Sequence, residues 1–165
     1  MDRQGEKQLE RSAVVNAPAS VVYALFMDNS ELANWAPVVD AVIAEEGGDA
    51  SGVGRTRTCA VTMQGRSGVM VERCVEVVVG RRASFVVVDD SLGFKRMLRD
   101  YGFTAHFEPL PQGRTEVTLE TFYTPANPVA AVINALLLRR KLATVVNELL
   151  AGLSTAAEER ANQAA

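Results

Sequence analysis

Histidine occurs once in this chain of 165 residues, tryptophan once and cysteine twice. Each scarcity excludes a class of chemistry. Cys59 and Cys74 make neither a metal-ligand spacing nor a disulfide framework. With no cluster of His, Cys or acids, no metal or other cofactor is expected. One histidine, His106, limits general acid/base designs, and no Ser-His-Asp set can be assembled around it if it faces outward. The glycines at 47, 48, 52 and 54 lack the strand-to-helix context and the Lys-Ser/Thr end of a phosphate loop. No apolar run approaches the ~20 residues that span a bilayer; the longest, Pro128 to Leu138, is broken by Asn134. No stable membrane insertion is expected. The polar start, Met-Asp-Arg-Gln-Gly-Glu-Lys-Gln, shows no apolar leader, and a cytoplasmic location is the default reading. A net charge of −3 with scattered basic residues argues against nucleic acid. The single basic run, Arg139-Arg140-Lys141, reads as a solvated helix face.

What is present is an apolar fraction of 48%, rich in Val and Ala, which points to a globular mixture of strand and helix. The length fits a single domain, 1–165, with 1–7 and 161–165 expected to fray. Gln8 to Val15 reads as a strand. Asn16-Ala17-Pro18-Ala19 opens a helix whose Val21, Val22, Leu25 and Phe26 recur at helical spacing. A second short helix around Glu31 to Trp35 ends before Pro37. About six strands then follow as a meander. Their connections are too short for parallel crossovers, so the pairs are antiparallel. Asn127 is the expected N-cap of a last helix, with Pro128 in its first position. That helix is expected to run to about Glu159, with Val132, Leu136, Ala143, Val146, Leu150 and Leu153 along its buried face.

The expected fold class is therefore α+β: a curved antiparallel sheet of about seven strands, two short helices and one long C-terminal helix. This order resembles the START-like (SRPBCC) superfamily with its helix-grip fold, and within it the polyketide cyclase/dehydrase and lipid transport group. The residues carrying the likeness are Asn16 to Tyr23, Trp35-Ala36-Pro37, Glu72-Arg73-Cys74-Val75-Glu76 and Gly113-Arg114-Thr115-Glu116-Val117. The resemblance implies a ligand cavity between sheet and last helix, taking a lipid, acyl chain, sterol or polyketide. It also implies that a cavity arginine, in roughly the strand of Arg73, steers ring closure in the cyclase relatives. Fold alone leaves the reaction open.

Register in the central hairpin decides which side chains face such a cavity. With Gly65-Arg66-Ser67 as a three-residue loop, Arg57, Cys59, Val61, Val71, Arg73 and Val75 share one apolar face. Glu72, Cys74 and Glu76 fall on the polar one, and the cysteines are kept apart. Arg57 and Arg73 then either grip a carboxylate or carbonyl end of a greasy ligand, or cover apolar surface while their heads reach solvent. Tyr101 and Phe103 are expected on the concave face, Tyr101 as packing or as a hydrogen-bond donor, and His106 on the outer one. Tyr23 and Trp35 read as core or pocket-rim packing. The candidate ligand-binding set is Arg57, Cys59, Val61, Val71, Arg73, Val75, Tyr101, Phe103, Val132 and Leu136. Arg73, Arg57 and Tyr101 are the catalytic candidates if the chain is a cyclase, aromatase or dehydratase. The favoured expectation is a non-catalytic carrier of a small hydrophobic ligand. A third reading uses Leu138, Leu142, Val145 and Leu149 as an interaction surface, with a homodimer possible.

Overall fold

The computed structural model describes residues 4–165. Strand β1 (Lys7–Val15) leads into α1 (Ala19–Met27) and a single turn, α2 (Leu32–Trp35). Then come β2 (Val39–Glu46), β3 (Thr56–Met63), β4 (Arg66–Val78) and β5 (Arg82–Asp90). The turn α3 (Phe94–Met97) precedes β6 (Leu98–Leu110) and β7 (Arg114–Pro125). The chain ends in one long helical run. It comprises α4 (Pro128–Ile133), a π turn at Asn134–Leu138 and α5 (Arg139–Gln163). The run begins where the sequence predicts: Asn127 Oδ1 accepts the Ala130 amide at 2.9 Å, and Pro128 follows it. It ends beyond the expected Glu159.

All strand pairs are antiparallel, in the order β1-β7-β6-β5-β4-β3-β2. The first strand joins the last, so the meander curves around α5. Gln4 fastens the strand's leading end by donating to the Phe103 carbonyl at 3.0 Å, so the chain is tied down before β1 begins. On the other side, Leu142, Val146, Leu150, Leu153 and Ala157 of α5 bury themselves against sheet, α1 and α2. Gly152 permits the closest approach. A Cβ there would stand 2.0 Å from the Trp35 carbonyl oxygen.

The β3–β4 hairpin differs from the expected register. Gln64 and Gly65, with φ of 53° and 76°, form a two-residue turn, and Met63 pairs with Arg66. Positive φ at both central residues is the primed turn that matches strand twist. One residue fewer in the loop turns over every side chain of β4 relative to β3. Arg57 now stands opposite Glu72 and Cys59 opposite Met70, while Arg73 pairs with Thr56 and Val71 with Thr58. Glu72 and Cys74 therefore belong to the concave face, and Val71 and Arg73 to the convex one. Val75 sits at a bulge between Cys74 and Glu76, outside the cavity lining. Both cysteines share the concave face as buried free thiols, correcting the expectation of opposite faces.

The helix face also differs. The π turn inserts extra winding after Ile133, so the inward stripe runs Ala130, Asn134, Leu138, Leu142. Val132 and Leu136 are 59% and 63% exposed. They do not line the cavity.

Candidate functional site

A cavity of about 110 Å³ lies between the sheet and α5. Its walls are mostly hydrocarbon. Cys59, Val61 and Met70 come from the hairpin, Phe103 and Leu119 from β6 and β7, and Leu142, Val145 and Leu149 from α5. Trp35 closes one side, and its buried indole N–H has no partner among the described residues.

Into this lining the sheet projects Arg57, Glu72 and Tyr101. Alternation along β3 buries Arg57 to 5% exposure between Cys59 and the strand start. Arg57 Nε donates to Glu72 Oε2 at 2.7 Å and Nη1 donates to Asn29 Oδ1 at 2.9 Å. Its guanidinium carbon also stands 4.6 Å from the centre of the Phe85 ring. The arginine is thus held by a carboxylate, an amide and an aromatic face, which is how a buried guanidinium becomes tolerable. Its charge is already matched by Glu72. The site as a whole presents a neutral pair to a ligand.

Tyr101 faces the same space. Burial, then the negative charge of Glu72, pushes its phenol well above the ordinary value of 10.0. It stays a neutral hydroxyl at all physiological pH values, able to donate to an oxygen. Burial likewise pushes the Cys59 thiol up to about 11, with Glu72 adding to the effect. Cys59 is consequently a wall and not a thiolate nucleophile.

The cavity opens at one end. A groove of about 370 Å³ shares Met63, Leu142 and Val145 with it and runs between two apolar lips. Leu92, Phe94 and Met97 form one lip, Ile133 and Leu137 the other, and Arg66 and Lys141 stand beside them.

Of the residues expected to meet a ligand, Arg57, Cys59, Val61, Tyr101 and Phe103 come together here. Val71, Arg73, Val75, Val132 and Leu136 do not line the cavity. Glu72, expected to be solvated, is the residue that sequence reasoning missed. The signal was the adjacency of Gln64 and Gly65 as a two-residue turn. Leu142, Val145 and Leu149, read as an outer surface, are cavity wall. His106 is on the convex face as expected, its Nε2 2.9 Å from Glu120 Oε2. Among the described residues no group of three or more His, Cys, Asp or Glu could hold a metal ion.

Solved structures share this architecture. A START superfamily protein from Mycobacterium smegmatis superposes with a TM-score of 0.72 at 15% identity, covering 96% of this chain and 99% of that one. A protein from Thermus thermophilus gives 0.70 at 22% identity, covering 95% and 98%. The Zhui aromatase/cyclase from Streptomyces sp. R1128 gives 0.70 at 19% identity, covering 92% and 93%. Similarity at this level establishes the helix-grip fold. No curated protein sequence matches the chain. The family profile described as polyketide cyclase/dehydrase and lipid transport does match, over residues 6–158, and the chain belongs to that family.

Proposed function

We propose that the chain binds and carries a small hydrophobic molecule whose inner end is an uncharged carbonyl or hydroxyl. The observation that carries this reading is the Arg57–Glu72 pair, 2.7 Å apart, in the wall of an otherwise apolar cavity. A free arginine would select a carboxylate. An arginine already neutralised leaves room only for a dipole, and Tyr101 supplies the donor. The cavity alone is smaller than the ~300 Å³ at which ligand pockets begin, so the ligand extends into the groove of about 370 Å³. An acyl chain or a linear polyketide has that shape.

Trp35, the only tryptophan, lines the cavity and reports occupancy by its fluorescence. Titration with a medium-chain methyl ketone should perturb it, and a fatty acid of equal length should bind roughly tenfold more weakly, because its carboxylate is desolvated beside Glu72 with no free cation to meet it. Tyr101→Phe should weaken ketone binding roughly tenfold, the effect of one lost hydrogen bond. A carboxylate that binds more tightly than the ketone overturns the assignment of the inner end.

A second reading is favoured by Tyr101 standing as a protonated donor within the field of Glu72. Such a pair could polarise one ketone of a folded poly-β-ketone and bias its cyclisation. Product patterns from a reactive polyketone, compared between the wild type and Tyr101→Phe, separate catalyst from carrier. Identical patterns exclude catalysis through Tyr101.

A further inference from the structure

From Val129 to Leu138 every residue except Asn134 is apolar. The structure turns the one polar residue inward: Asn134 is 6% exposed and its Oδ1 accepts from the buried Tyr123 hydroxyl. Its Nδ2 donates to Gln8 Oε1 at 3.4 Å. The hydrocarbon is turned outward. Val129 is 69% exposed, Val132 59%, Leu136 63% and Leu137 56%. An ordinary surface helix turns a polar face to water; here the outward face is apolar, in addition to the buried Ala130 and Leu138. An exposed apolar patch this continuous marks an interaction site.

The charges around it indicate the partner. No acidic residue occurs from Pro125 to Asn147, and Arg139-Arg140-Lys141 follows the apolar segment directly. Across the groove stands Arg66, at its rim; Lys95 and Arg96 are exposed on the same short turn as the lip residues Phe94 and Met97, with the Lys95 ammonium donating to the Val88 carbonyl. The nearby Asp90 carboxylate accepts the Phe94 and Lys95 amides, both at 2.9 Å. A basic rim around exposed hydrocarbon thus sits on a chain whose net charge is −3. Two copies meeting through this face would bring the rims together, like charge against like. An anionic bilayer neutralises them while taking up the aliphatic side chains.

We infer that Pro128–Leu138, with its basic rim, docks the protein onto an anionic lipid bilayer so that the groove faces the membrane. Eleven residues of helix extend about 16 Å, which suits lying in the headgroup layer and not crossing ~30 Å of hydrocarbon. No helix of the described residues is long and apolar enough to cross. The geometry places the groove, whose lip includes Ile133 and Leu137, against the surface that would hold a hydrophobic ligand. Docking goes beyond the cavity reading and stands apart from it.

Flotation of the full chain with vesicles tests it, with no ligand added. Vesicles of phosphatidylcholine containing roughly a third phosphatidylserine should retain the protein about tenfold or more better than phosphatidylcholine alone. Raising the salt well above physiological strength should release it. Val132→Glu/Leu136→Glu, which lies outside cavity and groove, should abolish retention while leaving Trp35 fluorescence and ketone binding unchanged. Arg140→Glu/Lys141→Glu should weaken retention about tenfold and remove its dependence on phosphatidylserine. Retention unaffected by either variant overturns the inference, as does no retention on either vesicle. A dimer that Val132→Glu/Leu136→Glu dissociates, with no vesicle binding, reassigns the patch to a second copy. Vesicle binding without ketone binding retains this inference and removes the carrier reading instead.

Discussion

Glu72 and Glu76 are four residues apart on β4, and each accepts from an arginine on the neighbouring strand. Strict alternation would put them on the same face. Instead, the bulge at Val75 turns Glu76 to the convex side, where it meets Arg82 and receives Ser84 Oγ at 3.5 Å. The Arg57 and Glu72 side chains are 6% and 12% exposed, whereas those of Arg82 and Glu76 are 39% and 48% exposed. One sheet therefore carries the same ion pair twice, in two dielectrics. Around Glu72 the charges are desolvated and their partners obligatory; around Glu76 water can replace either partner.

Removing one member of each pair should give opposite extremes. Arg57→Ala leaves Glu72 facing an apolar cavity and also exposes the Phe85 ring, so a loss of about 3–5 kcal/mol is expected. For a chain of this size that lowers Tm by roughly 6–20 °C. Arg57→Leu/Glu72→Leu removes both charges and should recover most of the loss, while Tyr101 keeps the preference for a ketone over a hydrocarbon. Urea denaturation of the single and double variants measures this. A double variant no more stable than Arg57→Ala would mean that the arginine acts through Asn29 and Phe85 and not through Glu72.

The turn that sets this arrangement can be strengthened. Gln64 adopts φ of 53°, which costs a non-glycine residue about 1–2 kcal/mol. Gln64→Gly should stabilise the chain by roughly 1 kcal/mol, read as a raised urea midpoint with unchanged slope. A loss of stability would show that the Gln64 side chain contributes more than its backbone costs.

The same residue explains what the sequence concealed. Asn-Gly announces a primed turn; Gln-Gly announces it weakly, and Gly65-Arg66-Ser67 offered a three-residue loop with a cleaner division of apolar from polar. That tidy division placed Arg73 inside and Glu72 outside, because a buried carboxylate looks wrong until its arginine is seen opposite. Arg57, Cys59 and Val61 were legible because β3 precedes the turn and keeps its faces under either register. The meander from β2 to β7 and the Asn127–Pro128 helix start were legible because they rest on local punctuation; the pairing of β1 with β7 spans the chain and carries no such mark. The π turn had no such mark. It moved the helix face so that Val132 and Leu136 point away, and Leu142, Val145 and Leu149 became wall.

The convex pair should respond weakly. Arg82→Ala is expected to cost less than about 1 kcal/mol, because both side chains are more than a third exposed and solvent screens them. A larger loss would indicate that the pair orders the Ser84–Thr104 contact beneath it, in which the hydroxyls are 2.9 Å apart.

The smallest expected effect is a pH dependence on the same convex face. Burial alone would raise the Glu120 carboxyl, but hydrogen bonds from His106 and Lys7 outweigh it and hold the group below its ordinary value of 4.5. A carboxyl lowered by folding contributes stability that is fully present above its unfolded value and is lost as pH falls through its folded one. The chain should therefore lose this contribution on acidification below about pH 4.5, and Glu120→Gln should flatten that limb of the stability curve while leaving neutral-pH ligand binding intact. Urea midpoints measured at several acidic pH values in both proteins provide the check. If Glu120→Gln instead altered ketone binding at neutral pH, the two faces of the sheet would be coupled through β7, and their separation by burial would no longer describe the molecule.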